Sequence, residues 1–65
     1  MTKRMMKKLE KLLAHYEVET LEELLNSPWN IEGVWESEDE EGIMCYELSN
    51  ATILLVENGE VVDIQ

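Results

Sequence analysis

The 65-residue chain is predicted to fold as an α+β domain, in which one long and one short N-terminal helix pack on a four-stranded antiparallel β-meander. Two observations support this prediction. Apolar residues recur at helical spacing before Pro28, and short segments rich in β-branched and aromatic residues follow residue 30, separated by turn residues. We expect a single domain over 1–65, with its helical part over 2–27 and its meander over 31–64.

The first helix is predicted over residues 3–16, with Thr2 as its N-cap. Its apolar residues form one stripe, which should pack on the sheet. The stripe consists of Met5, Met6, Leu9, Leu12, Leu13 and Tyr16. The segment "TLEE" predicts the start of the short helix, because Thr20 and Glu23 have the spacing of a capping box. Pro28 then predicts its end, since proline cannot continue a helix.

Four segments predict strands, namely "IEGVWE", "IMCYEL", "ATILLVE" and "EVVDI". Asn58-Gly59 predicts a two-residue type I′ turn, which pairs Val56 with Val61. If residues 49 and 50 form a second two-residue turn, both hairpins agree on one core face. That face would carry Met44, Tyr46, Leu48, Ile53, Leu55, Val62 and Ile64.

The opposite face of the sheet is predicted to carry an apolar patch, where a solvated face would be polar. If the first hairpin closes across residues 37–41, Trp35 pairs with Ile43 and joins this patch. The predicted patch consists of Trp35, Ile43, Val56 and Val61, with Cys45 and Leu54 adjacent. Exposed apolar patches of this kind mark interfaces. Two alternatives stay open: a one-residue slip would turn Trp35 to the core, and the short helix or residues 27–31, with Trp29, would cover the patch.

The charges are separated along the chain. All five Lys and Arg residues lie in the first eleven positions, which carry a net charge of +4. From residue 12 onward there are fourteen Asp and Glu residues and no Lys or Arg. A body of that sign repels nucleic acid and anionic lipid and attracts basic protein surfaces. We therefore expect a protein partner with a basic surface, without direct nucleic-acid or membrane binding.

The segment "ESEDEEG", residues 36–42, is a candidate calcium loop, a substitute for nucleic-acid phosphates, or a solvated turn. An EF-hand loop needs glycine at its sixth position and a bidentate Glu at its twelfth, between two helices. Counted from Glu36, Gly42 is seventh and Glu47 lies in a predicted strand, so the calcium interpretation fails. The other two stay open. The predicted partner-binding residues are Glu32, Trp35, Glu36, Glu38, Asp39, Glu40, Glu41, Glu57 and Glu60.

The sequence favours no catalytic, metal or cofactor chemistry. One Cys and one His are too few for a structural zinc site, and the three glycines are too isolated for a phosphate loop. No nucleophile, base and oxyanion-donor set is recognisable. Lys and Arg interrupt the apolar runs of the N-terminal segment, and no stretch reaches the ~20 apolar residues of a membrane span. We expect a soluble cytoplasmic protein that is not an enzyme.

In size and charge the chain resembles the very small acidic α+β proteins that phages encode to inhibit host CRISPR nucleases, restriction enzymes or polymerases. The resemblance is one of type and carries over no residue. It implies an anti-CRISPR-type inhibitor or regulator of a nucleic-acid-handling protein, which acts by charge mimicry of nucleic acid. The alternative hypothesis is a homodimeric accessory or antitoxin-like protein. In that case the dimer forms through the uncovered sheet face or the first helix, and the acids only provide solubility.

Overall fold

A computed structural model describes residues 2–65. Its elements are α1 (Lys3–His15), α2 (Leu21–Leu25), β1 (Ile31–Glu36), β2 (Ile43–Leu48), β3 (Ile53–Glu57) and β4 (Glu60–Ile64). The strands form one antiparallel sheet in the order β1-β2-β3-β4, which is a meander. The predicted α+β fold class is confirmed. Within residues 2–65, no helix is long and apolar enough to cross a membrane.

Both helices begin at the predicted threonine caps. The Oγ1 atom of Thr2 accepts a hydrogen bond from Met5 N at 3.2 Å, and that of Thr20 accepts one from Glu23 N at 3.2 Å. The Glu23 carboxylate accepts from Glu19 N at 3.1 Å, one residue before the cap. The capping box of α2 is thus present in a variant form, because its usual donor is the N–H of the cap residue itself.

The first helix ends at His15, and a Schellman motif closes it. Val18 N donates to Leu13 O at 3.0 Å, and Glu17 N donates to Ala14 O at 3.1 Å. Glu17 adopts the left-handed conformation that this motif requires, with a φ of 56°. The chain therefore reverses within a few residues and leads directly into α2.

The core lies between the helices and one face of the sheet. Both helices contribute to it, α1 through Leu12 and α2 through the fully buried Leu24. The sheet residues of the buried cluster are Leu48, Leu54, Val56 and Val61. Partly buried residues, including Tyr46 and Ile64, pack around this cluster. The sheet therefore has one face covered by the helices, as predicted.

The turn between β2 and β3 has three residues rather than the two considered from the sequence. Leu48 O accepts from Ala51 N at 2.9 Å, and Leu48 N donates to Thr52 O at 2.8 Å. Ala51 has a φ of 71°, which completes a three-residue loop over 49–51. This three-residue loop replaces the two-residue turn considered for residues 49 and 50.

This one extra residue reverses the facing of β3. Tyr46 pairs with Leu54 instead of Ile53, and Met44 pairs with Val56. Because side chains alternate along a strand, a register shift of one residue moves each of them to the other face. The prediction that Ile53 and Leu55 belong to the core face is therefore wrong. Leu54 and Val56 occupy that face in their place.

The turn between β3 and β4 has the predicted form. Asn58 and Gly59 have φ values of 52° and 81°, as a type I′ turn requires. Val56 pairs with Val61 across this hairpin, as expected. The turn thus fixes the register of the last two strands at their connected ends.

Further along the same hairpin, a β-bulge at Val62 changes the predicted pairing. Leu55 pairs with Asp63, and Leu54 pairs with Ile64. Val62 is consequently exposed, so its predicted place in the core face is wrong. Ile64 lies on the core side as predicted, because the bulge compensates for the one-residue shift in β3.

Candidate protein-binding face

The sheet face opposite the helices is the candidate site, and we call it the Trp35 face. Residues paired across antiparallel strands share a face, so the register defines its members. In three rows across the strands they are Gly33, Glu47 and Ile53; then Trp35, Cys45, Leu55 and Asp63; then Ile43, Glu57 and Glu60. The middle row is apolar up to its last residue, and each row includes at least one carboxylate.

A bulge in β1 places Trp35 on this face. The pairing shifts between Ile31 and Gly33, so Ile31 packs on the core while Gly33 and Trp35 face away from it. Trp35 pairs with Cys45 and not with Ile43 as predicted. This shift of two residues leaves Trp35 on its predicted face, because side chains alternate with a period of two.

The indole of Trp35 lies against the backbone of Gly33. A Cβ atom added to Gly33 would be 3.4 Å from Cζ3 of the indole and 3.8 Å from Oε1 of Glu47. Glycine at this position therefore leaves room for the ring, and the Glu47 carboxylate lies close to it. Trp35 is 41% exposed, so part of its ring is accessible at the surface.

Cys45 and Ile43 are buried on this face even though they lie outside the main core cluster. The helices pack on the other side of the sheet, and Cys45 lines a groove together with Trp35 and residues of the loop after β1. This shallow groove has a volume of about 240 Å³. It is lined by Trp35, Ser37, Glu38, Asp39, Cys45, Ile53, Leu55 and Gln65.

The loop over residues 37–42, which we call the acidic loop, is turned back by its own hydrogen bonds. Ser37 N donates to Ile43 O at 2.9 Å, and Ser37 Oγ accepts from Glu40 N at 3.3 Å. Gly42 adopts a φ of 84°, a conformation that favours glycine. The loop therefore holds Glu38 and Asp39 beside the apolar groove.

The basic residues lie on the side of the sheet opposite the Trp35 face. All five Lys and Arg residues belong to α1, which packs on the core face. The Trp35 face and its rim carry Glu38, Asp39, Glu47, Glu57, Glu60 and Asp63. The result is an apolar centre with an acidic rim, which is the arrangement that complements a basic protein surface around an apolar residue.

The predicted partner-binding residues separate into two groups. On or beside the Trp35 face lie Trp35, Glu38, Asp39, Glu57 and Glu60. Glu36 lies on the other face, because it pairs with Met44. Glu32 is the bulge residue of β1, and both Glu40 and Glu41 are exposed in the acidic loop. The structure thus brings five of the nine predicted residues to one surface.

The predicted apolar patch needs correction. Val56 and Val61 are buried in the core cluster, because β3 faces the other way from the prediction. Ile53 and Leu55 line the groove beside Trp35 in their place. Trp29 does not cover the patch, since its side chain is 79% exposed.

Sequence reasoning missed two acids of this face, Glu47 and Asp63. Strand alternation places both opposite the predicted core residues beside them, but neither belongs to an acidic run, so neither was included among the predicted partner-binding residues. Within residues 2–65, no group of three or more His, Cys, Asp or Glu side chains is arranged to hold a metal ion. No protein-family model matches the chain, and no curated protein or solved structure shows significant similarity to it.

Proposed function

We propose that this protein is a non-enzymatic binding protein that inhibits or regulates a nucleic-acid-handling protein by covering a basic surface of that partner. The observation that carries the proposal is the make-up of the Trp35 face. A 41% exposed tryptophan stands beside an apolar groove, acids surround it, and every Lys and Arg of the chain lies on the helix across the sheet.

The two components of the face have different roles in binding. The carboxylates steer a basic partner toward the face and accelerate association, an effect that salt screens. Trp35 supplies the anchor, since tryptophan is among the residues that contribute most to interface affinity. A standard interface covers ~800 Å² per partner, which is about a sixth of the 4808 Å² surface of this chain.

The position of the acids favours a partner that normally binds nucleic acid. The acidic loop and the Asn58-Gly59 turn lie at the same end of the sheet, because both connect antiparallel neighbours at that end. A Cβ atom added to Gly42 in this loop would be 4.0 Å from Oε2 of Glu57. Neighbouring strands are ~4.8 Å apart, so this end presents closely spaced negative charges. Rows of Lys and Arg that contact phosphates complement such a surface.

The test is partner capture on immobilised protein with nucleic acid as the competitor. We expect a nucleic-acid-binding protein to be retained at ~50 mM salt and released at ~500 mM. We also expect duplex DNA or structured RNA to displace it, because the two ligands compete for one basic surface. Retention that neither salt nor nucleic acid affects would contradict the proposal.

Matched variants separate the acidic rim from net charge. Glu38→Gln with Asp39→Asn removes two acids beside the groove, and Glu10→Gln with Glu22→Gln removes two exposed acids of the helices. We expect the rim variant to associate at least about fivefold more slowly at low salt, and the helix variant to change by less than about twofold. Equal effects would show that only total charge matters.

The charge of the Trp35 face argues against the homodimer alternative. Pairing of two Trp35 faces would bring two acidic rims together, and like charges across an interface oppose association. We therefore expect a monomer by sedimentation at low salt. A stable dimer that Trp35→Ser converts to a folded monomer would favour the accessory-protein hypothesis instead.

A further inference from the structure

We propose that a groove on the other side of the sheet, between α1 and the end of β4, binds a small organic anion with an apolar body. The groove has a volume of about 430 Å³, within the range of small-molecule sites. We call it the lysine groove, and its lining consists of Lys8, Lys11, Leu12, His15, Asn50, Thr52, Ile64 and Gln65. None of these side chains is acidic, although the chain has fifteen Asp and Glu residues and five Lys and Arg.

Two lysines supply the positive charge of the groove. Lys8 and Lys11 are three positions apart on α1, a spacing that brings side chains together on one face of a helix. Both ammonium groups can therefore contact one phosphate, carboxylate or sulfonate head. His15 follows one turn after Lys11 and adds ring nitrogens to the same wall.

The opposite wall is polar and is fixed to the helix. The Oδ1 atom of Asn50 accepts from Thr52 N at 3.1 Å, so the side-chain NH₂ group of Asn50 keeps its donors. The hydroxyl of Tyr16 accepts from Asn50 N at 3.1 Å and hydrogen bonds with Ser49 Oγ at 2.9 Å. The ring of His15 packs edge-on against that of Tyr16, with centroids 4.9 Å apart. Tyr16 thus links the turn that carries Asn50 to the C-terminal end of α1.

The groove also determines how such a ligand is oriented. Leu12 and Ile64 form its apolar part. The C-terminal end of α1, at His15, carries the negative end of the helix dipole and is unfavourable for an anion. The anionic head should therefore contact Lys8 and Lys11, while an aromatic or branched aliphatic body covers Leu12 and Ile64.

The test is an NMR titration of the ¹⁵N-labelled protein with naphthalene-2-sulfonate. We expect saturable shifts at the backbone amides of Asn50, Thr52 and Ile64. Two controls test the parts of the ligand separately: 2-naphthalenemethanol has the apolar body without the charge, and inorganic sulfate has the anionic head without the body. Each should bind at least about tenfold more weakly than the sulfonate. Equal binding by the neutral analogue, or no saturation at ~10 mM sulfonate, would overturn the proposal.

Two double variants of α1 provide a matched comparison. Lys8→Gln with Lys11→Gln removes two cations from the groove, and Lys3→Gln with Lys7→Gln removes two from outside it. Glutamine is a good helix former, so both variants should remain folded. We expect about fivefold weaker binding for the first and less than about twofold for the second. Equal weakening in both double variants would mean that the anion is attracted by general charge and has no binding site in the groove. The single variants Lys8→Gln and Lys11→Gln provide a second check, and each should weaken binding about twofold.

This inference is independent of the proposed function. Gln65 is the one residue that lines both the lysine groove and the groove beside Trp35, and the residues changed in the two tests do not overlap. Failure of one proposal therefore leaves the other standing.

Discussion

The two faces of the sheet differ in how far they bury side chains that are adjacent in sequence. Leu54 points to the helices and is fully buried in the core cluster. Leu55, the next residue, points the other way and lines an open groove beside Trp35 and Asp39. The core face therefore stabilises the fold. The Trp35 face contributes less to stability, because its apolar side chains are less buried and lie beside charged ones. The Trp35 face is therefore the side of the sheet on which burial is incomplete.

The largest expected effect tests this difference directly. Leu54→Ala should reduce the free energy of unfolding by about 3–4 kcal/mol, because it leaves a cavity at a fully buried position. Leu55→Ala removes the same atoms from a half-buried position and should cost about 1 kcal/mol. Urea unfolding followed by circular dichroism measures both values. Similar losses would mean that the two faces contribute alike to stability.

The next prediction concerns the cover that Trp35 provides on the open face. Cys45 is only 6% exposed and lies opposite Trp35 across the strand pair. Trp35→Ala should cost about 1–2 kcal/mol of stability and speed alkylation of the Cys45 thiol at least about fivefold. Trp29→Ala is the control and should change neither quantity, since Trp29 is far more exposed. An unchanged alkylation rate in Trp35→Ala would assign the cover to the acidic loop instead.

A third prediction concerns the turn that decides which residues face which side. Ala51 has a φ of 71°, a left-handed conformation that costs an alanine ~1 kcal/mol and a glycine little. Ala51→Gly should therefore raise the free energy of unfolding by about 0.5–1 kcal/mol. Ala14→Gly, the same chemical change on exposed α1, should lower it by about 1 kcal/mol. Loss of stability in Ala51→Gly would contradict the three-residue turn.

The sequence was sufficient for the elements but not for their register. Helical spacing, threonine caps and Asn58-Gly59 each act locally, so the helices, the strands and the last turn were predicted correctly. The turn at residues 49–51 depends on an alanine in a conformation that alanine disfavours, and no local pattern indicates that. The facing of β3, and with it the assignment of Val56 and Val61, was therefore wrong.

The candidate site was predicted only in part, again because the strand register was not known. Trp35 was placed on the correct face because the error in its pairing was two residues, which preserves the facing of a strand. The bulge at Val62 interrupts alternation without a glycine or proline to mark it, and the bulge at Glu32 is marked only by the adjacent Gly33. Glu47 and Asp63 alternate with predicted core residues, so the sequence already places both on the open face, and tertiary structure adds their neighbours across the strands.

The smallest expected effect asks whether the acids of the Trp35 face stabilise the fold. Glu57 and Glu60 face each other directly across the β3–β4 hairpin, and like charges in such a pair are destabilising. Glu60→Gln should raise the free energy of unfolding by about 0.3 kcal/mol and Glu60→Lys by about 0.5 kcal/mol. Both gains should disappear at ~1 M salt, where the Debye length is only ~3 Å. A gain that persists in high salt would have a cause other than charge. If the gains follow this pattern, the acidic rim lowers the stability of the domain. A benefit of these acids to the protein must then be sought in binding.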